Sequence, residues 1–348
     1  MLVFSSREHR HGVAAPSGRR ALLSVLLFAL CLVSLPALGQ ESLDIPLADR
    51  LPDGRFVGYW LQVQGGEGKP ALVLLDTGSK GLMLRADCLG KQGVQRTGRK
   101  YKQVFFDGTV FEGEIVRVPL RVGPVATREP VSVVSVSTIA CSDQKPDCPA
   151  KTFTGSSIAG IMGVGLGEVN ALDNPLEHLS PGLANGFIIR GGNASRSASL
   201  TVGLTPASRE GFTSYPMPRR PLTFSWREAF MKCNAIPACF SVNGADVSGQ
   251  CGRILFDTGS SVNLLHVKRP VRTAEGAAME VLRPGVTVSV TPEGMKEMVL
   301  ACDGAQWSGI FRIDRDADGV SILGAGAFSH LELLYDFSGN AIGLKQTR

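Results

Sequence analysis

LVLLDTGS at residues 72–79 and ILFDTGS at residues 254–260 are two copies of one pattern. Each is an apolar run that ends in an aspartate, followed by threonine, glycine and serine. Runs of this length, apolar on both faces and closed by a turn, read as fully buried strands. Asp76 and Asp257 stand 181 positions apart in one chain. Two carboxylates carried on the same short motif predict a symmetric site made by two related halves. There they would share one proton and activate a water.

The remaining residues of the motif suit that task. Gly78 and Gly259 permit a tight turn and a close approach of the two backbones. Thr77 and Thr258 are placed to cross-bond to the opposite loop, and Ser79 and Ser260 to donate to the outer carboxylate oxygens, which favours ionisation. Two carboxylates about 3 Å apart do not both ionise cheaply, so one keeps a proton and the titration belongs to the pair. The ionised partner would take a proton from water as it attacks a peptide carbonyl, and the protonated partner would hydrogen-bond the developing oxyanion.

Working outward, a second signature repeats. Ile161-Met162-Gly163 follows Asp76 by 87 positions and Ile322-Leu323-Gly324 follows Asp257 by 67, in the same order, as expected of an internal duplication with a shortened second copy. Residues 103–120 read as a hairpin with Asp107-Gly108 as a two-residue turn. Residues 131–136, 187–190 and 199–202 read as strands, and Asn174-Pro175 as the capped start of a short helix. The proline-rich stretch 215–221 reads as a break. These readings predict an all-β chain, with a first lobe over 40–210 and a second over 211–348. The 41 glycines among 348 residues favour strands and turns over long helices.

Together these residues resemble a pepsin-like (family A1) aspartic peptidase. Both Asp-Thr-Gly-Ser motifs match, as do the two apolar-apolar-Gly signatures. Phe105-Phe106-Asp107-Gly108-Thr109, with Gly113 beyond, resembles the family's flap hairpin. GAFSHLELLYDF at 326–337 and AIGL at 341–344 resemble its closing strands. The resemblance spans roughly residues 55–345. It implies a bilobal double β-barrel with pseudo-twofold symmetry and a central cleft. An extended peptide or protein substrate would lie across the dyad under the flap, bonded in strand fashion, with apolar side chains flanking the scissile bond. Three departures stand out. The flap tyrosine is replaced by Phe105, and the tryptophan seven residues after the first aspartate by Met83, so a bonded pair is lost jointly rather than halved. Only 36 residues separate Gln40 from Asp76, too few for a typical inhibitory prosegment. Those traits resemble bacterial members of the family.

Residues 1–39 read as a signal peptide. Arg7, Arg10, Arg19 and Arg20 precede an apolar stretch at 21–35, short for a membrane span, and Ala37-Leu38-Gly39 is a small-x-small cleavage site. A retained anchor is the alternative. Arg19-Arg20 fits twin-arginine export or an ordinary basic region equally well. Cleavage would bring the formal charge from +5 to about +2 and leave an exported, periplasmic or secreted, monomeric protein with no membrane attachment. No basic run interleaved with aromatics points to nucleic acid. Seven cysteines remain, and in an exported chain most are expected in bridges: Cys141 with Cys148 across a polar loop, and among Cys233, Cys239 and Cys251 one within reach of Cys302.

No cofactor or metal is expected. There is no C-x-x-C, and His178, His266 and His330 read as structural or surface residues. Asp314, Asp316, Asp318 and Gly319 resemble the start of a calcium loop, but its twelfth position is Ala325 and not Glu, which favours a solvated turn. Gly163, Gly165 and Gly167 read as packed turn glycines, and no G-x-S-x-G elbow occurs. The sequence therefore predicts an aspartic endopeptidase, with a catalytically silent pepsin-fold binding or inhibitor protein of the cell envelope as the alternative.

Overall fold

The computed structural model describes residues 41–50, 58–154, 158–166, 172–192, 195–217, 233–242, 250–266, 282, 285–301, 311–314 and 319–347. The signal peptide read at 1–39, Cys302, Gly167 and residues 315–318 of the acidic loop lie outside them.

β1 (Leu43–Pro46) opens the described chain and joins a sheet taken up below. Nine strands follow that form one sheet: β2 (Trp60–Gly65), β3 (Ala71–Asp76), β4 (Lys80–Arg85), β5 (Gln95–Val104), β6 (Thr109–Val118), β7 (Leu120–Val122), β8 (Val125–Ala126), β9 (Val131–Cys141) and β10 (Ile158–Val164). Their order is β5-β6-β9-β4-β10-β3-β2-β7-β8. The apolar run before the first aspartate is β3, which sits between β10 and β2 with Val73 and Leu75 fully buried. Its continuous hydrophobicity is what a strand covered on both faces requires.

β11 (Gly186–Arg190), β12 (Ser199–Val202) and β13 (Thr213–Pro216) come next. Residues 215 and 216, read as the start of a break, instead end β13, which pairs with a later strand at a sheet edge. An edge position tolerates the missing amide hydrogen of Pro216.

The second half repeats the first in shorter form. β14 (Ile236–Val242), β15 (Gln250–Phe256), β16 (Asn263–His266), β17 (Thr287–Pro292), β18 (Met298–Ala301), β19 (Phe311–Asp314) and β20 (Ser321–Leu323) form a sheet in the order β18-β17-β14-β15-β20-β16-β19. In β14, Ile236, Ala238, Phe240 and Val242 are buried while the residues between them are half-buried, the period-2 pattern of a sheet with one dry face. The duplication is visible in the pairing. β10 runs parallel to β3 and antiparallel to β4, and β20 runs parallel to β15 and antiparallel to β16.

β21 (Leu331–Asp336) and β22 (Ala341–Gln346) complete a six-stranded sheet in the order β1-β12-β11-β21-β22-β13. Its two centre strands come from opposite halves of the chain. Phe187 of β11 faces Tyr335 of β21, with the rings stacked 4.9 Å apart. The architecture is a bilobal β fold in which one sheet is shared by both halves.

Candidate active site

Each aspartate leaves the end of a central strand. Asp76 closes β3 beside Gly163 of β10, and Asp257 follows β15, its amide donating to the carbonyl of Leu323 at 2.8 Å. The next residue in each loop is a fully buried threonine. The Thr77 amide donates to Thr258 Oγ1 at 3.1 Å, and the Thr258 amide to Thr77 Oγ1 at 3.0 Å. Each hydroxyl then donates across to the strand bearing the other aspartate, Thr77 Oγ1 to the Phe256 carbonyl and Thr258 Oγ1 to the Leu75 carbonyl, both at 2.7 Å. Four reciprocal bonds thus join the loops and satisfy groups that no sheet reaches.

The glycines let the loops meet. A side-chain carbon added at Gly78 would lie 2.5 Å from Asp257 Oδ2, and one at Gly259 would strike Asp76 Oδ1. Alanine is therefore excluded at both positions by the opposing carboxylate. Each carboxyl thus lies against the other's turn glycine, close enough for the two groups to perturb each other's ionisation. Burial raises the pKa of both. Asp257 is held well above the ordinary carboxylate range, by burial first and then by the charge of Asp76. At Asp76 the same effect of burial is opposed first by the Ser79 hydroxyl, then by the neighbouring Asp257 and by the Gly78 amide.

The serines break the symmetry. Ser79 Oγ donates to Asp76 Oδ2, as its place in the motif predicts. Ser260 Oγ instead donates to the Val262 carbonyl at 2.7 Å, inside its own loop. Asp257 keeps the Gly259 amide, at 2.8 Å from Oδ1. Fewer donors converge on Asp257, consistent with its greater upward shift. Tyr335 lies fully buried in the shared sheet, and the charges of both aspartates add to the burial that raises its phenol pKa.

The flap residues cap the β5–β6 hairpin. The Gly108 amide donates to the Phe105 carbonyl at 3.0 Å, the Phe105 amide to the Thr109 carbonyl at 2.8 Å, and Asp107 Oδ1 accepts from the Thr109 amide at 2.8 Å. Only Gly108 takes positive φ here, at +93°. A two-residue Asp-Gly turn of the kind read from the sequence needs positive φ at both residues. The tip is instead a turn centred on Phe106-Asp107 and closed by a left-handed glycine. Phe106 is 49% exposed, whereas the Phe105 ring packs edge-on against Phe111, 5.4 Å away. Phe105 belongs to a cluster that also contains Met83 and Trp60. Trp60 comes from β2, and its N–H is buried with no hydrogen-bond partner among the described residues.

Two bridges are formed, Cys141–Cys148 and Cys239–Cys251, with Cα–Cα separations of 5.4 and 3.9 Å. Among the described residues no cluster of His, Cys, Asp or Glu could hold a metal, and no helix is long and apolar enough to cross a membrane. One residue at the flap carried no signal in the sequence. Lys145, inside the Cys141–Cys148 loop, reaches the Phe106 carbonyl. Only the turn on which it sits places it there.

No protein-family model and no curated protein sequence matches the chain. Among solved structures it is similar to the crystal structure of the aspartic proteinase from Irpex lacteus, with a TM-score of 0.58 and 16% identity over 88% of this chain and 98% of that one. At that identity the likeness speaks for the fold alone: this chain has the bilobal β architecture of a pepsin-like aspartic proteinase.

Proposed function

We propose that the chain is an aspartic endopeptidase of the pepsin-like kind, exported and acting as a monomer, with Asp76 and Asp257 as its acid–base pair. The observation that carries this reading is the meeting of the two aspartate loops, each turn glycine packed against the other's carboxyl and the loops locked to each other by their threonines. Export is supported by the predicted signal peptide and by two disulfides, which form and persist in oxidising compartments.

The unequal surroundings assign the roles. Asp76, with Ser79 and the Gly78 amide donating to it, is the ionised member. Asp257, whose motif serine turns away and leaves the Gly259 amide as its donor, holds the shared proton. Asp76 takes a proton from a water lying between the carboxyls. The water oxygen bonds to the peptide carbonyl carbon, and the carbonyl oxygen receives the proton of Asp257. The resulting tetrahedral diol collapses when the amide nitrogen takes the proton from Asp76. The C–N bond then breaks, and one diol hydroxyl returns its proton to Asp257. No covalent enzyme intermediate and no cofactor is required. The Phe105–Thr109 tip would cover the substrate and hold its backbone.

The test is cleavage of a quenched peptide library between acid and neutral pH by the mature chain and by Asp76→Asn and Asp257→Asn. The expected result is cleavage by the unaltered chain, lowered in either variant by at least about 10³-fold. It should be blocked by a peptide with a hydroxyl in place of the scissile carbonyl. Undiminished cleavage in both variants would remove the mechanism. Binding of that peptide without cleavage at any pH would favour a silent pepsin-fold binding protein.

A further inference from the structure

The flap tip is gripped by a second loop that the proposed chemistry does not use. β9 runs beside β6 as far as Thr109↔Cys141, so the Cys141–Cys148 loop emerges alongside the tip. Three contacts follow. The Ser142 amide donates to the Gly108 carbonyl at 2.8 Å. Lys145, whose amide closes a turn on the Ser142 carbonyl at 3.0 Å, extends its ammonium to the Phe106 carbonyl at 2.6 Å and lies 4.5 Å from the centroid of the Phe106 ring. The Lys145 Cβ fills the place where a side chain at position 108 would stand. The left-handed glycine that closes the turn also makes room for the lysine.

The contacts are complementary. A charge-assisted bond fixes the backbone of the tip, and a cation over the ring fixes its exposed aromatic side chain. The bridge fixes the mount, because it closes the loop that presents Ser142 and Lys145. A hairpin tip without such a brace would have to be ordered when peptide binds, and that cost would appear as weaker binding.

We propose that Lys145, mounted on the Cys141–Cys148 loop, is a positioning residue for the flap, which sets the tip before substrate arrives and so governs substrate affinity and not the bond-breaking step. The inference rests on the peptidase reading for its kinetic consequence, but the brace itself can be measured without activity.

Amide hydrogen exchange on the full mature chain compares wild type, Lys145→Met, Lys145→Arg and the double variant Cys141→Ser/Cys148→Ser. Lys145→Met should speed exchange at Phe105, Gly108 and Ser142 by about fivefold or more, and Lys145→Arg should restore most of the protection. The double serine variant should give the same loosening, and adding Lys145→Met to it should add little, since both act through one strap. On a cleavable peptide, Lys145→Met should raise KM about tenfold with kcat within about twofold, and Lys145→Arg should bring KM back. Wild-type exchange rates in Lys145→Met, or a loss lying wholly in kcat, would overturn the proposal. Loosening in Lys145→Met together with a wild type that cleaves no peptide would keep the brace and remove the peptidase reading.

Discussion

Ser79 and Ser260 hold the same place in two copies of one motif, yet only Ser79 turns its hydroxyl toward a carboxylate. That difference predicts an asymmetric response. The Ser79 hydroxyl stabilises the ionised form of Asp76 and so lowers the pKa at which the active, singly protonated pair forms. Ser79→Ala should therefore move the acid limb of the kcat/KM profile to higher pH and lower activity by about tenfold. Ser260→Ala should leave that limb in place and lower stability slightly, because it removes only a bond within the loop. A pH–rate series on the two variants separates them, and equal shifts of the acid limb would contradict the assignment of Asp76 as the ionised partner. The motif could not announce this difference. Both serines have a donor to offer, and the Val262 carbonyl that captures Ser260 is positioned by the fold of its own loop.

At the scale of elements, the threonine lock joins β3 and β15 through bonds made at their ends. Thr77→Val keeps the shape of the side chain but leaves the Phe256 carbonyl and the Thr258 amide buried without their partner. The cost is about 2–4 kcal/mol for the two groups, and Thr258→Val should cost the same by symmetry. Equilibrium unfolding in urea measures it, and the double variant should cost clearly less than the sum, since loops freed of both hydroxyls part and let water reach the groups left unpaired. Strict additivity would mean that the reciprocal bonds are not a unit. The strands that carry this lock were legible because an apolar run ending in Asp-Thr-Gly states both its burial and its turn. The flap hairpin was legible in place but not in turn type, because an Asp-Gly pair fits two geometries and the position of Lys145 against Gly108 belongs to the one that forms. The end of β13, at 215–216, was read as a break because proline marks both edges and breaks, and only its partner β22, more than a hundred residues away, decides between them. The pairing of β11 with β21 has the same character: strand periodicity identifies a strand, not its neighbour.

Across the whole molecule, the shared six-stranded sheet and the threonine lock hold a buried carboxyl and a half-buried one together at a cost in stability. The cost depends on pH in a definite direction. The folded state raises the pKa of Asp257 well above its ordinary value and that of Asp76 to a lesser extent, whereas in the unfolded chain both titrate near about 4. Below that value both states are protonated and the fold has its full stability. As pH rises, the unfolded state loses its protons first, so stability falls until the pH passes the raised folded values. Asp257→Asn cannot ionise and also removes a like charge beside Asp76. The variant and the wild type should therefore have similar Tm values near pH 3, and the variant should become the more stable as pH rises, by about 2–4 °C near neutrality. Thermal unfolding at a series of pH values checks this, and a gap that stays constant with pH would show that the pair is not held in one coupled titration. Asp76→Asn should give a smaller gain, because it also gives up the ionised acceptor that Ser79 and the Gly78 amide serve. The ranking of the two variants thus tests, on the intact molecule and without a substrate, which aspartate keeps the proton.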